Sequence, residues 1–218
     1  MHLADMSAGV TGASAVVGTT IPMALGIAFS FKSEGSDRVA TAFFGDGSTE
    51  EGVFSETMNF AALHKLPILF VMENNGYAIH SPVADRWAGD GICERIESYG
   101  IKTDRVLDGN VFDIRAAAEK GLAAIRSGDG PYFLECLTYR WTEHVGPGDD
   151  FNAGYRPQDE YEKWRQNDQI EILGDMLNAG ARSSADAEIE DLIATAIEFA
   201  ENSPFPKVAE LWSNVYAS

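Results

Sequence analysis

The chain has 218 residues, enough to bury one sizeable core, and its 45% hydrophobic and 23% charged content excludes disorder as the default state. Thirty-four acidic residues (34 Asp plus Glu) stand against 16 basic ones, a net charge of -18 without a basic cluster, which argues against nucleic acid because phosphate neutralisation needs a cationic surface. Two cysteines, Cys93 and Cys136, lie far apart outside any metal or CxxC spacing, and no apolar run approaches the roughly 18 residues of a membrane span. The opening Met1-His2-Leu3-Ala4-Asp5 lacks the basic and apolar regions of a signal peptide. The expectation is a soluble cytoplasmic protein, or one of the mitochondrial matrix for a eukaryotic source, whose acidity serves solubility.

Along the chain, a small-residue, glycine-punctuated loop (Gly9, Gly12, Gly18) feeds "IPMALGIAFSFK", read as a buried helix with Pro22 in its first turn. "RVATAFF" (38–44) and "LPILFVM" (66–72) are apolar runs of strand length, read as strands covered on both faces. Between them Phe54, Met58, Ala61 and Ala62 recur at helical spacing, which makes a strand-helix-strand unit. The pattern repeats with "RVLDG" (105–109) as a strand, Ile114, Ala118, Leu122 and Ile125 as a helical face, and "PYFLECLTYR" (131–140) as a strand. This alternation predicts an α/β fold with a doubly wound, mainly parallel sheet. "WTEHVGPGDDFNAGYRPQDE" reads as a long loop of the kind that is usually functional or mobile, and two polar-faced helices follow, around Ile170, Leu173 and Leu177 and around Ile189 to Ala200.

Ligands bind an open parallel sheet beyond the carboxyl ends of its strands. Gly45-Asp46-Gly47 ends one predicted strand and Glu73-Asn74-Asn75 ends the next. A Rossmann fingerprint is excluded, because the glycines bracket an acid that repels a pyrophosphate, and a P-loop is excluded by the absence of GK[ST]. An acid beside a phosphate needs a cation between them. Magnesium takes carboxylate and amide oxygens and joins them to phosphates, so Asp46 and Asn75 are candidate ligands, with Gly45 and Gly47 permitting close approach.

Gly45-Asp46-Gly47, twenty-six further residues and then Asn74-Asn75 match the thiamine-diphosphate motif. "GDGSTEEGVFSETMNFAALHKLPILFVMENNGYAI" closely resembles the alpha subunit of the 2-oxo acid dehydrogenases, the pyruvate, branched-chain and acetoin dehydrogenase group. The resemblance runs from "AVVG" through "LTYR" and "GYRPQDEYEKW" to "SPFPKVAELW". It implies the thiamine-diphosphate-binding fold, with 1–157 as the cofactor-binding domain and 158–218 as a helical layer of the same domain. It also implies magnesium on Asp46, Asn75 and the Tyr77 carbonyl, Gly47 and Ser48 near the diphosphate, and backbone at Ala15 and Val17 against the aminopyrimidine. His144 matches the histidine of the family's active-site loop and takes a catalytic role by the same resemblance, although the usual HxS reads His144-Val145-Gly146 here.

The activity implied is oxidative decarboxylation of a 2-oxo acid, pyruvate-like or branched-chain, with acyl transfer to a lipoyl group. The implied partners are a beta subunit, which brings a glutamate to the cofactor, and a lipoyl acyltransferase. An acetoin dehydrogenase, a transketolase-like sugar enzyme subunit and a non-catalytic assembly module are the alternatives. Beside the family's alpha subunits the chain reads as N-terminally truncated. Of the remaining residues, Glu50 and Glu51 are expected to favour the following helix N-terminus and His64 to cap its end. His80 and Ser81 are expected to be structural, Asp149 and Asp150 to be solvated loop acids, and the four tryptophans to serve packing.

Overall fold

The computed structural model describes residues 2–89, 91–213 and 215. They divide into two compact units, Met1–Gln169 and Ile170–Ser218. The first opens with an antiparallel hairpin, β1 (Leu3–Asp5) and β2 (Val10–Ala13), where the sequence reads only as loop. Asp5 holds its turn, accepting from the Ser7 and Ala8 N–H groups. Then come α1 (Thr20–Ser33), β3 (Ala40–Gly45), α2 (Gly52–Leu63) and β4 (Ile68–Asn74). A second small hairpin, β5 (Tyr77–Ala78) and β6 (Ser81–Pro82), leads into the short helices α3 (Val83–Arg86) and α4 (Ile92–Glu97). β7 (Lys102–Val106), α5 (Val111–Arg126), β8 (Tyr132–Leu137) and α6 (Gln158–Arg165) complete the unit.

β3, β4, β8 and β7 form one sheet in that order, and every neighbouring pair is parallel. The α/β expectation holds, with helices on both faces. Ile68, Phe70 and Met72 of β4 join Phe133 of β8 against α1, α2 and α4, whereas Leu69, Val71, Tyr132 and Leu134 face α5. Period-two alternation explains how a continuous apolar run serves two cores. Phe54, Met58 and Ala61 of the α2 stripe are fully buried, and α5 contributes Ile114, Ala118, Leu122 and Ile125. Gly121 on α5 is a packing requirement, since a Cβ there would stand 2.8 Å from the Tyr132 ring.

Two local readings change. β3 is covered on one face only: Ala40, Ala42 and Phe44 are buried while Phe43 is 62% exposed, because β3 is the edge strand of this sheet. The strand expected at 105–109 lies at Lys102–Val106 instead. Gly109 takes a left-handed φ of 70°, and the Asn110 side chain caps α5 by accepting from the Phe112 and Asp113 N–H groups, so 107–110 is a turn. His64 does terminate α2 as its C-cap.

In the second unit α7 (Gln169–Met176) precedes α8 (Ala179–Asn202), which Asn178 caps by accepting from the Ala181 N–H at 2.8 Å. Arg182 of α8 pairs with Glu171 of α7 at 2.9 Å. No helix among the described residues is long and apolar enough to cross a membrane.

Cys93 and Cys136 are free and buried, and burial pushes their thiols up to about 12 and about 11 from an ordinary 9.0. The folded state therefore favours the neutral thiol. That stability is present below the ordinary thiol value and is lost as pH climbs from there towards 11 to 12. Iodoacetamide at about pH 8 is expected to leave both cysteines unlabelled in the folded protein and to label both in denaturant, read by mass spectrometry.

Candidate active site

β3 ends in extended backbone at Gly45, and the chain turns into a single 3-10 segment, Asp46–Glu50. The Thr49 hydroxyl closes that turn by donating to the Asp46 carbonyl at 2.7 Å. This geometry holds the Asp46 carboxylate at 1% exposure. Its partner is Arg86 of α3, whose guanidinium donates to both Asp46 and Glu50 and whose Nε donates to the Ser81 carbonyl at 3.0 Å. Glu50 therefore directs its carboxylate to Arg86 rather than to the α2 N-terminus. Helix-dipole contacts contribute about 0.3–1 kcal/mol, less than the desolvation that a buried charge group must offset.

At the end of β4 two asparagines in succession turn the chain. Asn74 Oδ1 accepts from the Gly76 N–H at 3.0 Å and Asn75 Oδ1 accepts from the Tyr77 N–H at 2.9 Å. The resulting hairpin β5–β6 folds back onto the Asp46 turn so closely that a Cβ at Gly47 would lie 2.8 Å from the Ala78 Cβ. Gly47 thus admits the hairpin. The tip of that hairpin is strained, since Ile79, a β-branched residue, has φ of 57°. The Tyr77 hydroxyl donates to Glu160 at 2.8 Å, and burial together with this bond raises the phenol well above its ordinary 10.0.

These groups suit a hard cation. Asp46 offers a carboxylate, the Asn75 amide oxygen keeps a second lone pair, and Tyr77 and Pro82 form a non-hydrogen-bonded pair next to the Val83 N–H to Gly76 carbonyl bond, which turns the Tyr77 carbonyl out of the ladder. Gly45 and Glu73 are register partners, which brings the two strand ends side by side. No group of three or more His, Cys, Asp or Glu among the described residues can hold a metal unaided. A donor set of one carboxylate and neutral oxygens is the kind that magnesium shares with phosphates.

A cavity of about 650 Å³ opens beside this turn. Ala15, Val17, Gly45 and Ser48 line it together with Met23 and Phe43. Its volume lies in the range of small-molecule sites. Asp46, Gly47, Asn75 and Tyr77 do not line it: the first two belong to the same turn as Ser48, Asn75 to the turn after β4 and Tyr77 to the adjoining hairpin. His144 is exposed on the loop after β8 and does not line the cavity.

That loop is firmly rooted. Asp150, expected as a solvated acid, is 6% exposed and pairs with Arg140 at 3.1 Å and Arg156 at 2.6 Å. Arg156 also donates to the Arg140 and Thr142 carbonyls at 2.6 and 3.1 Å. Two guanidiniums converge on one carboxylate, which draws it in from water. Arg140 further reaches the Ile79 carbonyl at 3.3 Å and the Tyr155 hydroxyl at 2.7 Å. Tyr155 packs on His80 and Tyr77 with ring centroids 4.6 and 5.7 Å away, so the His144 loop and the asparagine hairpin share one base.

Sequence reasoning missed Arg86, which no spacing marks, and Glu135, a lone acid inside the apolar strand "YFLECL" that was a readable signal. Arg86→Ala is expected to cost about 3 kcal/mol in the metal-free protein, because it strands a buried carboxylate, and millimolar magnesium should recover more of the melting temperature than in wild type. Asp150→Ala should cost about as much and open 141–155 to limited proteolysis, read by mass spectrometry of the fragments.

The family model described as "Dehydrogenase E1 component" matches residues 1–209. The alpha subunit of the acetoin:2,6-dichlorophenolindophenol oxidoreductase of Bacillus subtilis is 35% identical over 100% of this chain and 66% of its own length. The pyruvate dehydrogenase E1 component subunit alpha of Rhizobium meliloti is 34% identical over 99% of this chain and 63% of its own. The acetoin oxidoreductase alpha subunit of Cupriavidus necator is 35% identical over 100% of this chain and 67% of its own. The chain spans a little under two thirds of the length of the first two relatives. With the strand-end aspartate and the asparagine turn both in place, the chain belongs to the dehydrogenase E1 component family.

Proposed function

We propose that this chain contributes the alpha-subunit side of a thiamine-diphosphate-dependent active site that oxidatively decarboxylates a 2-oxo acid, pyruvate-like or branched-chain, and passes the acyl group to a lipoyl arm. The observation that carries the reading is the buried Asp46 at the end of β3 beside the Asn74-Asn75 turn at the end of β4, with a ligand-sized cavity adjoining. Acetoin is the alternative substrate, since relatives named for acetoin and for pyruvate differ little in identity, 35% against 34%.

In this reading Asp46, Asn75 and the Tyr77 carbonyl would hold magnesium, whose charge would neutralise Asp46 as Arg86 does here. Ser48, which lines the cavity, and Gly47 beside it would border the diphosphate, and backbone at Ala15 and Val17 would orient the ring system in the cavity that Met23 and Phe43 also line. When bound, thiamine diphosphate supplies the electron sink that decarboxylation requires. His144, exposed on the rooted loop, holds and transfers a proton at an imidazole nitrogen. A beta subunit completes the site with a glutamate, and a lipoyl acyltransferase receives the product.

Calorimetry on the chain with its beta partner is expected to show magnesium-dependent thiamine diphosphate binding. Asp46→Ala should weaken it by more than about 100-fold, beyond the loss typical of outer-shell partners. Dye reduction with pyruvate, branched-chain 2-oxo acids and acetoin then identifies the substrate. Wild-type complex that neither binds the diphosphate nor turns over any of these compounds overturns the proposal.

A further inference from the structure

We infer that Glu135 is a positioning residue for the metal-binding turn, acting through Asn74; the metal half of this inference rests on the reading above. Glu135 is 2% exposed on β8, between register partners on both sides: Arg105 of β7 and Met72 of β4. Its Oε2 accepts from Arg105 and, at 3.3 Å, from the Cys93 thiol of α4. Its Oε1 accepts from Asn74 Nδ2 at 2.7 Å. One oxygen is thus anchored to β7 and α4 while the other reaches the end of β4.

Both Glu135 oxygens act as acceptors here, so the carboxylate decides which way the Asn74 amide points. With Nδ2 turned to Glu135, Oδ1 must face the Gly76 N–H, and it accepts that bond at 3.0 Å. This turn leads through Asn75 into the hairpin that packs on the Asp46 turn. Stability alone does not explain a charged group here, because well-packed apolar residues commonly equal or exceed a buried ion pair in stability. Fixing the orientation of one amide does explain it. Arg105, 31% exposed along its side chain, pairs with the carboxylate from the strand at the sheet's far edge.

Glu135→Leu tests this in the complex with the beta partner. Hydrogen exchange at the Gly76 amide should accelerate at least about tenfold, and magnesium-thiamine diphosphate affinity should fall about 10–100-fold. Glu135→Gln leaves one acceptor oxygen for three donors, and with that oxygen on Arg105 it presents an N–H to Asn74, so it should impair both as well. If Glu135→Leu does not fold, Asn74→Ala leaves the Arg105–Glu135–Cys93 cluster intact and should reproduce the affinity loss. Wild-type exchange at Gly76 in folded Glu135→Leu, or unchanged affinity in Asn74→Ala, overturns the inference. A wild-type complex that binds no cofactor, with Gly76 exchange still responding to the substitution, overturns the proposed function and leaves the positioning of the turn standing.

Discussion

A carboxylate that is 1% exposed at the tip of a parallel sheet must have positive charge beside it, and the architecture around Asp46 follows from that demand. Parallel pairing sets Gly45 against Glu73, so the residue after β3 and the asparagines ending β4 emerge at one edge. The 3-10 turn closed by Thr49 keeps the acid pointing inward instead of letting it turn to solvent. The chain answers the charge with Arg86, carried on a short helix that exists because the β5–β6 hairpin returns the backbone to this place.

Around this centre the polar groups form a layered support. Asn74 is held from behind by Glu135, and Glu135 by Arg105 and Cys93, which ties three strands and one helix to the geometry of one turn. On the other side Arg140 and Arg156 converge on Asp150 and fasten both ends of a loop that carries an exposed histidine. Tyr155 joins this loop to the hairpin through Tyr77 and His80.

Much of the fold was legible because its elements obey their own periods. The α2 stripe, the α5 face and the apolar run of β4 announce burial whatever surrounds them. The misses concern residues whose state depends on neighbours. "RVATAFF" has the composition of a doubly covered strand, and only its place at the sheet edge leaves Phe43 in solvent. Asp150 sits between glycine and proline stretches like any loop acid, and two arginines close to it in space draw it inside. The hairpins β1–β2 and β5–β6 are too short for a pattern, being set by side-chain bonds such as those from Asp5 and Asn75.

By itself the sequence determined the strand-helix alternation, the end of one strand at an acid between glycines and the end of the next at paired asparagines, because these are local matters of period and turn chemistry. Tertiary structure alone decided that the two ends lie side by side, that Arg86 meets Asp46, and that Glu135 orients Asn74. Forty residues separate Arg86 from Asp46 and 61 separate Glu135 from Asn74. Charge pairing over such distances follows from how the sheet is ordered, and no local pattern carries that order.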